Sequence, residues 1–112
     1  MNIISYDDFE KVDIRLGTII QAEFYKEIKK HSIKMKIDFG EPIGIKKSSA
    51  QLIKYYKPEE IIGRQVAAVI NFKPKQIGKF ISEVLVLGFP DDENCPVLLS
   101  PDIKLKNGVK LF

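Results

Sequence analysis

The sequence predicts an all-β domain with minor α content, a small closed barrel of short strands around one helical connection. Three observations point there. The apolar period is two in the runs between Asp13 and Ile45, the later runs are rich in branched apolar residues, and helix-start chemistry is confined to short stretches between turn formers. At 112 residues the chain fits one domain, spanning residues 1–112. A chain of that size buries roughly two thirds of its unfolded surface.

The elements follow in order. "SYDDFEKV" reads as a short helix, with Ser5 as its cap, Asp8 three residues on, and acids at the positive end of the helix dipole. Tyr6 and Phe9 share one face of it. From Asp13 the period becomes two. Ile14, Leu16, Thr18, Ile20, Ala22 and Phe24 alternate with Asp13, Arg15, Gly17, Ile19, Gln21 and Glu23, and Gly17 is expected to bend or bulge this long strand. "SIKMKIDF" places Ile33, Met35, Ile37 and Phe39 inward and Lys34, Lys36 and Asp38 outward. Gly40 to Pro42 turns the chain, and "IGIK" returns it with Ile43 and Ile45 inward.

Ser48 and Ser49 then read as caps for a helix in "AQLIKYYK", where Leu52, Tyr55 and Tyr56 form a stripe and Lys57-Pro58 breaks it. "PEEIIG" has proline at a helix start and Gly63 at its stop. "QVAAVINF", "SEVLVLGF" and "CPVLLSP" read as strands, "NFKPKQIGKF" as a loop, and Asn107-Gly108 as a turn in the tail. This order, with its helix between strands three and four, matches a five-stranded oligomer-binding (OB) barrel.

Several chemistries are excluded. "DFGEPIGIKKSSAQL" opens like a kinase metal triplet, but no Gly-rich or catalytic-loop motif accompanies it. Its glycines enclose three residues, and Ile45 separates Gly44 from Lys46, so it is no phosphate loop of the G-x-x-x-x-G-K-[ST] kind. With one histidine (His31) and one cysteine (Cys95), no ordinary zinc site, disulfide or nucleophile–base pair can be assembled. The sequence therefore reads as a non-enzyme without metal or cofactor. It lacks an apolar run of about 18 residues, which points to a cytoplasmic protein that does not insert in membranes.

Charge is uneven. Residues 1–25 hold two basic and five acidic side chains (net −3), residues 26–79 thirteen and five (net +8), and residues 80–112 three and five (net −2). A basic middle between acidic ends suits an anionic partner. Lys34 and Lys36 share the outer face of one strand, Lys46 and Lys47 lie on the strand expected to pair with it, and Lys73 and Lys75 sit in the following loop. Lysines on an OB surface track phosphates, although lysines on a solvent face are also ordinary. Glu83, opening an apolar strand, either pairs with a lysine or marks the groove. Phe72, Phe80 and Phe89 read as core residues, Phe80 being the one placed for exposure. Tyr55 and Tyr56 are adjacent and cannot both face one core.

Four stretches, "DFEKVDIRLGTI", "KIDFGEPIGIKKSSAQL", "YYKPEEIIGRQVAAVINF" and "SEVLVLG", resemble the CsaA export-related chaperone family. That family lies within the tRNA-binding domain group, whose members stand alone as dimers or are appended to methionyl- and phenylalanyl-tRNA synthetases. The resemblance covers about residues 7–112. It implies an OB barrel that dimerises through N- and C-terminal extensions, giving a use to Tyr6, Phe9, Leu111 and Phe112. It also implies that unfolded preproteins and the export machinery are partners, with tRNA as the alternative ligand of the barrel groove. By position, Asn71 and Lys73 match the group's "N-x-K/P" segment, Ser82 matches the serine opening the next strand, and Lys46, Lys47 and Ser49 match the segment particular to CsaA. The loop Gly78-Lys79-Phe80 departs from the family pattern, and Ile81 stands where a charge is usual. An apolar Ile81 beside Phe80 is expected to form a peptide-contacting edge.

Overall fold

The computed structural model describes residues 1–28 and 31–112. Helix α1 (Tyr6–Glu10) has the expected reciprocal cap. The Ser5 hydroxyl accepts from the Asp8 N–H at 3.1 Å, and the Asp8 carboxylate accepts from the Ser5 N–H at 3.2 Å. That backbone bond, first among its contacts, holds the Asp8 carboxyl below its ordinary value.

Strands β1 (Ile14–Phe24), β2 (Ile33–Asp38) and β3 (Ile45–Ala50) form a meander, and the one-turn helix α2 (Pro58–Ile61) leads to β4 (Gln65–Val69). Five short strands follow: β5 (Lys75–Ile77), β6 (Phe80–Ser82), β7 (Leu85–Val86), β8 (Gly88–Pro90) and β9 (Pro96–Leu98). The main antiparallel sheet runs β3-β2-β1-β4-β7, while β5-β6 and β8-β9 are separate hairpins. The sheet curls until β3 meets β7 and forms a nearly closed five-stranded OB barrel. The N–H groups of Glu83 and Val84 donate to the Lys47 carbonyl at 2.8 and 3.3 Å, and the Ser48 hydroxyl donates to the Val84 carbonyl at 2.8 Å. The Glu83 carboxylate accepts from the Lys47 N–H at 3.0 Å. Glu83 thus pairs with a lysine through that lysine's backbone, and its work is closing the barrel.

The barrel interior is packed by Ile19, Ile33, Met35, Ile37, Phe39 and Val66, all essentially inaccessible to solvent. Two expectations about β1 are corrected. The irregularity in its register lies between Ile19 and Gln21, not at Gly17. Gly17 and Ile19 hold the core face before the bulge and Ala22 takes it after, so Ile19 is fully buried while Ile20, at the bulge, is 43% exposed. Gly17 faces the core for a different reason: a Cβ there would stand 2.6 Å from Ile37 Cγ2 and 2.8 Å from the Phe39 ring. Ile45, expected inward, lies opposite Asp38 on the outer face and is 54% exposed.

The segment after β3 is also corrected. Ser48 and Ser49 cap no helix. Both lie in β3, where pairing with β2 and closure on Val84 satisfy the Ser48 hydroxyl in the core. Residues 51–57 make a turn, because strand pairing holds the chain up to Ala50 and proline stops it at 58. Leu52 is buried, and the Tyr56 hydroxyl accepts from the Leu98 N–H at 2.9 Å. Tyr55 points away and meets Asp91 at 2.6 Å. "NFKPKQIGKF", read as a loop, contains the β5-β6 hairpin. Phe72 and Phe89 are 56% and 64% exposed, not core residues.

Asp91 joins this turn to the β8-β9 hairpin. Its carboxylate accepts from Lys54 Nζ at 2.5 Å, from the Tyr55 hydroxyl, and from the N–H groups of Cys95 and Glu93 at 2.8 and 2.9 Å. These bonds, the lysine's first, hold the Asp91 carboxyl far below the carboxylate range, and the same contact raises both Lys54 and the Tyr55 phenol. A carboxyl that titrates lower when folded stabilises above its ordinary value of 3.8 and loses that contribution as pH falls further. The shares of Lys54 and Tyr55 are whole below their ordinary values of 10.5 and 10.0 and fade only in stronger alkali. Asp91→Asn is therefore expected to lower the thermal midpoint at neutral pH, with the gap to wild type narrowing steadily below pH 3.8. A gap of constant size through the acid limb of a melting series would assign the loss to packing instead.

Candidate functional site

The outer face of β2 and β3 is built by strict alternation. Across the β2-β3 ladder Lys34 stands opposite Ser49, Lys36 opposite Lys47, and Asp38 opposite Ile45. Each pair shares one face. On the other side of β2, Lys34 and Lys36 stand opposite Glu23 and Gln21 of β1. Lys46 pairs with Ile37 and so falls on the opposite side of the sheet from Lys47. Neighbouring lysines on one strand cannot edge the same groove.

Over this face lies the β5-β6 hairpin. Its register sets Lys75 opposite Ser82, Ile77 opposite Phe80, and Gln76 opposite Ile81. Phe80 and Ile81 therefore point to opposite faces of the hairpin and do not form the continuous apolar edge expected of them. The half-buried Phe80 turns toward the barrel. Its ring meets Tyr25 edge-on with centroids 5.9 Å apart, and the ammonium groups of Lys34 and Lys47 approach its centroid to 5.8 and 5.5 Å. Lys34 Nζ also sits 4.8 Å above the Tyr25 ring and 3.4 Å from the Glu23 carboxylate. Ile81 is 42% exposed. Lys36, Lys73 and Lys75 are exposed, and the Ser82 hydroxyl donates to the Val84 carbonyl at 3.3 Å.

Asn71 is occupied elsewhere. Its side-chain oxygen accepts from the Asp13 N–H at 3.0 Å, and its amide donates to the Lys11 carbonyl at 2.7 Å. It fastens the α1–β1 junction. Tyr25, which alternation gave no reason to single out, proves central to the lysine face. It is 5% exposed, and its hydroxyl donates to the Ile77 carbonyl at 2.6 Å.

A second surface gathers the chain's two ends. The C-terminal segment runs beside β1: the Leu16 N–H donates to the Val109 carbonyl, the Gly108 N–H to the Leu16 carbonyl, and the Leu111 N–H to the Ile14 carbonyl. Gln65 clips the same segment, accepting from the Leu105 N–H at 3.0 Å and donating to the Leu105 carbonyl at 2.6 Å. This leaves an apolar cleft of about 690 Å³ floored by Leu16, Ala67, Leu99, Leu105 and Val109. Tyr6, Phe9, Leu111 and Phe112 line a smaller cleft beside it. Tyr6 is 66% exposed and Phe112 fully so. Among the described residues, no group of three or more His, Cys, Asp or Glu side chains could hold a metal ion, and no helix is long and apolar enough to cross a membrane.

Fold and surface together define a class: a small antiparallel barrel with a lysine-rich sheet face and an uncovered apolar cleft. The chain belongs to the family described as the putative tRNA binding domain, whose model matches residues 14–110. It is 36% identical over 107 residues to a methionine–tRNA ligase of Methanococcoides burtonii, covering 96% of this chain, and 36% identical over 111 residues to that of Pyrococcus horikoshii, covering 99%. The chain spans only about 15% of the length of these ligases. Among solved structures it is similar to the chaperone CsaA of Bacillus anthracis, with TM-score 0.93, 46% identity, and coverage of 99% of this chain and 100% of that one. The CsaA chaperone protein of Picrophilus torridus gives TM-score 0.89, 48% identity, and coverage of 98% and 100%.

Proposed function

We propose that the protein is a non-enzymatic homodimer of the CsaA type that holds unfolded polypeptides on their way to export, working in the cytoplasm without inserting in a membrane. The observation that carries this reading is apolar surface left uncovered at both chain ends. Tyr6, Phe9, Leu111 and Phe112 border one cleft, and the wider cleft beside them is apolar. Contiguous apolar surface of that kind marks an interaction site. A second copy docking there through the same patch would give a two-fold dimer. The similarity to CsaA chaperones over nearly the whole chain supports the same reading.

A second reading, tRNA binding, is favoured by the lysine face. Lys34, Lys36 and Lys47 share one side of a sheet, with Lys73 and Lys75 on the neighbouring hairpin segment. The two readings separate in a salt titration on one preparation, using bulk tRNA and a labelled unfolded polypeptide. RNA affinity falls linearly in log–log against salt, whereas apolar polypeptide binding stays nearly flat and shows a negative heat-capacity change. Salt-tolerant polypeptide binding by a species that sediments as a dimer is the expected result. A monomer that binds only tRNA, with a steep slope, would replace the first reading with the second.

A further inference from the structure

The β5-β6 hairpin stands apart from the main sheet, and among the described residues one hydrogen bond joins residues 75–81 to the rest of the barrel. It is the bond from the Tyr25 hydroxyl to the Ile77 carbonyl, at 2.6 Å. The hairpin turn is shaped to admit it. Gly78 adopts φ +63°, and a Cβ at that position would lie 2.5 Å from the Tyr25 hydroxyl oxygen. The Tyr25 ring then supports Phe80 edge-on and carries Lys34 Nζ on its face, while Lys47 Nζ reaches Phe80 from β3. One buried tyrosine thus touches both the hairpin and the β2 lysine.

We infer that Tyr25 is a positioning residue, latching the hairpin onto the β2-β3 face so that lysines from two separate sheets meet an RNA backbone as one surface. The inference rests on the second reading above, because it is the charge of this face that identifies the ligand as a phosphodiester chain. With the latch in place, Lys34, Lys36 and Lys47 on the sheet and Lys73, Lys75 and Lys79 around the hairpin keep fixed spacings. Without it, the hairpin lysines move independently of the sheet and neutralise phosphates less often.

The test is Tyr25→Phe in the full chain, which keeps the ring and removes only the hydroxyl, with Gly78→Ala as a second variant that pushes the turn away from it. Amide exchange followed by NMR should accelerate about fivefold for residues 76–82, the scale of one neutral hydrogen bond, with β1 and β4 core amides unchanged. The salt slope for tRNA should become shallower by about two in both variants, a change that a purely structural loss of active protein would not produce. An unaltered slope in a Tyr25→Phe protein whose wild type binds tRNA would overturn the inference. A wild type that binds unfolded polypeptide but no tRNA would instead sink the reading beneath it, and hairpin exchange would then decide the latch by itself.

Discussion

Gly17→Ala is expected to destabilise the protein by about 1–3 kcal/mol, the usual cost of forcing a methyl group into a filled core. The new Cβ would lie 2.6 Å from Ile37 Cγ2 and 2.8 Å from two carbons of the Phe39 ring. Neither neighbour can step aside toward solvent, since both are completely buried. Phe39→Ala removes the other side of this contact and should cost about 3–5 kcal/mol through the cavity it leaves. The double variant should lose less than the two single losses combined, because the methyl then enters space the ring has vacated. Urea denaturation of the four proteins reads this directly, as shifts in midpoint at constant slope. Strictly additive losses would place the glycine's cost at Ile37 or in the backbone of β1 instead of at the Phe39 ring.

Replacing Lys34, Lys36, Lys47 and Lys73 together with Ala should lower tRNA affinity by about 10²–10³ at moderate salt and flatten the salt slope by up to about 3, each phosphate contact contributing roughly 0.7–0.9. Lys46→Ala provides the internal control. It lies one residue from Lys47, but its register with Ile37 puts it on the other side of the sheet, so its slope should match wild type. If Lys46 and Lys47 prove interchangeable, the ligand reads the local density of charge and the face has no special role. Binding to unfolded polypeptide should change little in either protein.

Much of this architecture is legible in the residues. Period-two patterns locate β1, β2 and the start of β3, and a run of branched apolar residues between turn formers locates β4. The Ser5–Asp8 cap locates α1, and proline with following acids locates α2. What escapes is decided by contacts distant in sequence. Ile19 and Ile20 are both isoleucine, so alternation cannot report that a bulge buries one and exposes the other. Leu52, Tyr55 and Tyr56 are spaced as on a helix, but barrel closure at Lys47 and Glu83 draws the preceding serines into a strand and leaves too little chain for one. The lysine face was half readable: Lys34 and Lys36 follow from β2 alone, whereas choosing between Lys46 and Lys47 requires the ladder register. Tyr25 carries no local signal, because its partners, Ile77 and Phe80, belong to a hairpin whose strands are only three residues each.

The pairing of the C-terminal segment with β1 sets an expected order of events. Arg15 donates to the Gly108 carbonyl across 93 residues of sequence, and the Leu16–Val109 ladder beside it spans the same distance. Contacts of that separation close loops nearly as long as the chain and are expected to form after the local β1-β2-β3 meander exists to receive them. The tail is thus expected to settle last. Until it does, the start of β1 that β2 does not reach, around Ile14–Leu16, is left as an open edge, the kind of edge that recruits other chains. In a crowded refolding mixture, speed of tail docking is expected to decide between a finished barrel and an aggregate.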